Sequence, residues 1–144
     1  MQTLERVSFM SSKMNLVPLS VIKQQANDLK VFNNHVYEYK KGVRKLILTT
    51  EKSVYRKPIE HRLTREKIDY AIQDVDKEKI NVFFGAKQCI DVVKTFIHKK
   101  LHELSPEQDF ILGTLLGYDK VAQCDRYLKL LKKLPFGNKK PNVK

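Results

Sequence analysis

Tyr70-Ala-Ile-Gln-Asp-Val-Asp-Lys-Glu-Lys-Ile-Asn-Val-Phe-Phe-Gly85 is the stretch on which the fold turns. Tyr70–Val75 and Ile80–Phe84 are rich in the branched and aromatic residues that suit a pleated surface. Asp76–Lys79 between them is wholly polar and reads as a turn, and Gly85 closes the second run. The pattern predicts an antiparallel hairpin. A two-stranded hairpin is marginal in water, so the flanking sequence must supply further strands or helices to cover its apolar side.

Upstream, Val31–Tyr39 carries Val36, Tyr37 and Tyr39 and is expected as a strand, with a short helix the open alternative. Lys40-Lys41-Gly42 is a turn in which glycine can take a positive φ, and Val43–Thr50 is a further strand. From Pro58 to Lys67 the spacing of Ile59 and Leu63 predicts a helix, with Pro58 near its start, where a missing N–H costs nothing. Downstream, Cys89, Ile90, Val93, Phe96 and Ile97 share one face of a helix expected over Lys87–Lys99. Ser105-Pro106-Glu107-Gln108 is a helix start with a capping box. Gly117 should break that helix, and Asp119 should cap another running to about Lys133.

The predicted order is strand, strand, helix, strand, strand, helix, helix, helix. This is an α+β chain: a small, mainly antiparallel sheet covered by helices on one face, with a C-terminal helical pair. Residues 1–28 read as a weakly structured N-terminal arm, residues 29–134 as a single α+β domain, and residues 135–144 as a flexible basic tail.

With 144 residues, 42% of them apolar and 31% charged, the chain can bury one core. No apolar run approaches the ~20 residues of a membrane-spanning helix. The first residues lack the basic and apolar segments of a secretion signal. The expectation is a cytoplasmic protein without a membrane role. Cys89 and Cys124 are then expected as reduced, buried thiols.

The net charge of +12 is the dominant global feature, and it favours anionic partners of any kind. Residues 29–56 hold seven Lys/Arg against two Asp/Glu, and no acid follows Asp125.

Few residues carry recognisable chemistry. His98 and His102 stand four apart, as metal ligands on one helix face would, but no third ligand accompanies them, and solvated histidines are the plainer reading. Cys89 and Cys124 form no Cys-x-x-Cys pair, and their plain reading is packing. His35, Tyr37, Tyr39, Lys40, Lys41 and Arg44 form a basic–aromatic cluster able to hold phosphates or stack a planar ring. On a strand, the two-residue period would split that cluster between faces. Tyr118 and Arg126 flank Cys124 and complete the candidate binding residues, with Arg126 in a surface ion pair as the plain alternative. Phosphate-binding glycine loops and nucleophile motifs are absent from the sequence. No catalytic residue, metal or cofactor is therefore assigned.

Three strings together, His35-Val-Tyr-Glu-Tyr-Lys-Lys-Gly-Val-Arg44, Ile80-Asn-Val-Phe-Phe-Gly85 and Asp109-Phe-Ile-Leu-Gly-Thr-Leu-Leu-Gly-Tyr-Asp119 leading to Gln123-Cys-Asp-Arg-Tyr127, resemble a small bacterial family catalogued as a domain of unknown function. The resemblance spans roughly Val31 to Leu131. It implies a small, cytoplasmic α+β domain encoded beside flavodoxin genes. Flavodoxins are typically acidic, so a basic chain would be steered toward one. The expected function is that of a non-enzymatic accessory or regulatory protein binding an acidic partner, flavodoxin or a related redox protein. The alternatives are a nucleic-acid-binding module and a small enzyme acting on an anionic substrate.

Overall fold

The computed structural model describes residues 17–134. Most of the expected N-terminal arm and the basic tail lie outside these residues. The elements are α1 (Leu19–Asp28), α2 (Lys30–Lys40), β1 (Leu46–Lys52), a short 3-10 turn at Ser53–Tyr55, α3 (Arg56–Arg65), β2 (Asp69–Asp74), β3 (Lys79–Gly85), α4 (Lys87–Lys94), a second 3-10 turn at Leu101–Glu103, α5 (Pro106–Leu115) and α6 (Lys120–Lys132). This is the α+β architecture read from the sequence, with its C-terminal helical pair.

The hairpin is present: β2 and β3 pair antiparallel, with Ile72 opposite Val82. β1 joins the other edge of β3, also antiparallel, with Ile47 opposite Phe84. The sheet order is β1-β3-β2, so the last strand in sequence is the central one. That placement explains why β3 is buried along almost its whole length while β1 and β2 alternate.

Residues 31–39 are the first correction. They form a helix, α2, because Leu29, Phe32, Val36 and Tyr39 fall on one helical stripe and pack against the sheet. The β-forming character of Val36, Tyr37 and Tyr39 is overridden by that burial. β1 accordingly starts at Leu46 rather than Val43.

The second correction concerns layers. Helices cover both faces of the sheet, not one. On one face Ile47, Ile80, Val82 and Phe84 meet Phe32 and Val36 of α2 and Ile59 and Leu63 of α3. Phe84 is the hub, with the rings of Phe32 and Tyr39 edge-on to it at 5.7 and 6.3 Å. On the other face Leu46, Ala71 and Phe83 meet Ile90 and Val93 of α4, Phe96, and Leu112 of α5.

α4 stops at Lys94, short of the expected Lys99. The segment between α4 and the second 3-10 turn is held by a polar ladder across the second face. Thr50 donates to Asn81 (2.7 Å), Asn81 to Gln73 (3.2 Å), and the Gln73 amide to the carbonyls of Ile97 (2.8 Å) and Lys99. Both carbonyls lie beyond the end of α4. The capping box at Ser105 and Gln108 is formed as expected, Gly117 (φ 82°) separates α5 from α6, and the Asp119 carboxylate accepts from the Ala122 N–H.

Candidate functional site

The structure divides the sequence-derived binding residues into two groups on opposite faces of the sheet. The first lies at the C-terminal end of α2. In a helix, residues four apart share a side, and Tyr37 and Lys41 do so: Tyr37 is 61% exposed and the Lys41 ammonium sits 5.4 Å from its ring centre. Tyr39 turns the other way, into the core beside Phe84. It is a packing residue rather than a binding one.

The cations of this group differ in freedom. Lys40 is held by Glu66 just beyond α3 at 2.7 Å, which keeps the Glu66 carboxyl below its ordinary range. Arg44 reaches Glu38 only at 3.8 Å, and His35 Nδ1 stands 3.5 Å from the same carboxylate. Lys41 has no ion-pair partner among the described residues.

The Lys40–Glu66 pair, with Arg62 donating to Asn33, fastens α3 beside α2. Together the two helices and the loop after α2 present one cationic layer. Residues 30–45 and 56–67 carry ten Lys/Arg against three Glu. The elements on the other face, residues 87–132, carry eight against six. Most of the excess charge of the described chain therefore lies on the α2–α3 side. Lys57, Arg65 and Lys67 belong to that layer and were not among the sequence-derived candidates. The signal for them was the basic run itself, whose relation to Tyr37 and Lys41 depends on the packing of the two helices.

At the inner edge of this layer Glu51 is 8% exposed and accepts from the Thr49 hydroxyl at 2.8 Å. Burial raises its carboxyl above the ordinary range, opposed by that hydrogen bond and by the nearby His35. Asp28, at the end of α1, is displaced downward by the Tyr55 hydroxyl (2.5 Å) and the Lys52 ammonium (3.1 Å). A shallow cavity of about 350 Å³ lies between these groups and Lys79.

The second group, Tyr118 and Arg126, lines a cleft of about 520 Å³ on the other face. Its apolar wall is Leu48, Leu104, Leu112 and Leu116. Arg126 is not free there: Asp109 takes both its Nε and Nη2 at 2.8 and 2.9 Å. The surface ion pair considered from sequence is thus present, and it removes the charge an anionic ligand would seek. α5 and α6 approach closely at this point, since a Cβ on Gly113 would fall on the Gln123 amide.

The remaining candidates separate. His98 follows the end of α4 and His102 lies in the 3-10 turn, so they do not share a helix. No group of three His, Cys, Asp or Glu able to hold a metal ion occurs among the described residues. Cys89 is half-buried beside the second core cluster, whereas Cys124 is exposed, contrary to the expectation of two buried thiols. No helix among the described residues is long and apolar enough to cross a membrane.

The family model described as Protein of unknown function (DUF2023) matches residues 30–130, and the chain belongs to that family. The matched span begins with α2 and ends within α6, so it includes both candidate regions. No curated protein matches the chain.

Proposed function

We propose that this member of the DUF2023 family is a non-enzymatic accessory or regulatory protein of the bacterial cytoplasm, and that its α2–α3 layer docks an acidic protein partner. The observation that carries this reading is the placement of ten Lys/Arg against three Glu on one two-helix layer, with Tyr37 exposed among them. Such a layer attracts an acidic surface over the screening length and then offers an aromatic contact on arrival. The partner we propose, expected from the family resemblance and typically acidic, is flavodoxin or a related redox protein. Lys41, Arg65 and Tyr37 are the residues expected at the contact. Lys40 contributes less, because Glu66 already engages it.

The test is a titration of the chain with oxidised flavodoxin at about 50 and about 300 mM salt, where screening lengths differ about 2.4-fold. Affinity should drop with salt, and the Lys41→Glu/Arg65→Glu pair should weaken it by roughly tenfold or more. Binding that ignores both salt and charge reversal would sink the reading. A mixed-sequence DNA or RNA duplex is titrated in parallel. If it binds with a steep salt dependence and flavodoxin does not, the same layer is a nucleic-acid interface.

A further inference from the structure

α6 is thirteen residues long, yet none of its side chains is buried among the described residues. An isolated helix of that length is marginal in water, and tertiary packing normally supplies its stability. On its outer side lies an apolar groove of about 440 Å³, lined by Phe110 and Ile111 of α5 and Cys124, Tyr127 and Leu128 of α6. Leu128 is 47% exposed and Val121 71%. The rings of Phe110 and Tyr127 meet at 5.5 Å and form its floor.

The charge here is unlike that of the rest of the molecule. Residues 106–132 hold four Asp/Glu against four Lys/Arg, in a chain of net charge +12. Two copies approaching through any strongly basic face repel each other. Through this face they do not. The groove ends are also of opposite sign. Glu107 lines one end. Lys120 lies one helical turn before Cys124, on the same side of α6, and so stands toward the other end. α5 and α6 run antiparallel, as the Asp109–Arg126 and Glu107–Tyr127 hydrogen bonds show.

From this geometry we infer that the α5–α6 face binds a second copy of the chain. A two-fold axis across the middle of the groove makes an isologous contact. It seats Ile111 and Leu128 of each copy in the other's groove and brings each Glu107 to the partner's Lys120. The four helices form an antiparallel bundle that buries the apolar side of α6. Because α2 and α3 lie across the sheet, the two basic layers point away from each other and both stay open to solvent.

Sedimentation equilibrium across the micromolar range tests this directly, with the full chain. The wild-type chain should be a dimer. Leu128→Glu should be monomeric while keeping the wild-type circular dichroism spectrum, since the position is at the surface. Glu107→Lys and Lys120→Glu should each raise the dissociation constant by about tenfold, because each reverses two symmetry-related pairs. The double variant should return toward the wild-type value. A monomer at every concentration, as would result if the chain's own ends covered the groove, overturns the inference. So does a dimer indifferent to Leu128→Glu, or a double variant no tighter than either single one.

Discussion

Single residues decide where the strand ends meet. Gly85 pairs with Leu46 on one side and Asp69 on the other, at φ 153°. A Cβ there would collide with the Lys45 carbonyl oxygen and stand 3.0 Å from the Leu46 Cα. That oxygen also accepts from the Ala86 N–H, so it cannot yield. Gly85→Ala should cost roughly 3 kcal/mol or more, read as a lowered denaturant midpoint. Gly42 (φ 78°) has nothing within 4 Å of its Cβ position, so alanine there should cost only about 1 kcal/mol. Glu51 makes a prediction of the opposite sign. Its folded carboxyl is raised by burial, so its contribution is full below the ordinary carboxylate range and is lost as pH rises through the raised value. Glu51→Gln should therefore raise the melting temperature at about pH 7 and leave it nearly unchanged at about pH 4. A gain that is independent of pH would assign the effect to packing. The positive φ of Gly42 was legible in the sequence, whereas Glu51 and Gly85 look there like any strand-end residues. That the basic–aromatic cluster divides was legible, but not how: a strand would put Tyr37 and Tyr39 on one face, whereas α2, turning about 100° per residue, sends Tyr37 outward and Tyr39 into the core.

Among elements, those with strong local signals were readable and those made by packing were not. Ser105, Gln108 and Asp119 carry their capping chemistry in the sequence, and the β2–β3 turn is equally explicit. α2 had a stripe at Leu29, Phe32, Val36 and Tyr39, but its residue types pointed to a strand, and only the sheet beneath it settles the competition. α1 lies at the other extreme. It buries no residue among the described ones and exposes Leu19, Val21 and Ile22. Its C-terminal end is tied down by Asp28, through Tyr55 and Lys52. Amide hydrogens of α1 should exchange far faster than those of α2 despite similar lengths, by about two orders of magnitude or more. Tyr55→Phe should speed α1 further while leaving α2 unchanged. Equal protection of the two helices would mean that α1 has support beyond the Asp28 contacts.

For the whole molecule, the sheet acts as a partition. The α2–α3 side concentrates positive charge, and the α5–α6 side is apolar and nearly neutral. The total charge is plain in the sequence but its side is not, because α2 and α3 are brought together by the pairs Lys40–Glu66 and Arg62–Asn33, whose members stand 26 and 29 positions apart. The strand order carries one more consequence. β3 lies between β1 and β2 yet is made after both. A ribosome that has released everything up to Asp74 has delivered two edge strands with nothing between them. Until Lys79–Gly85 emerges, Leu46, Ile47 and Ala71 have no neighbouring strand to close on. The nascent chain thus waits, with its sticky segments bare, for one seven-residue delivery. Chains arrested before Lys79 should remain unfolded and protease-sensitive, and chains released through α4 should gain sheet structure in a single step, which pulse proteolysis of stalled nascent chains would resolve.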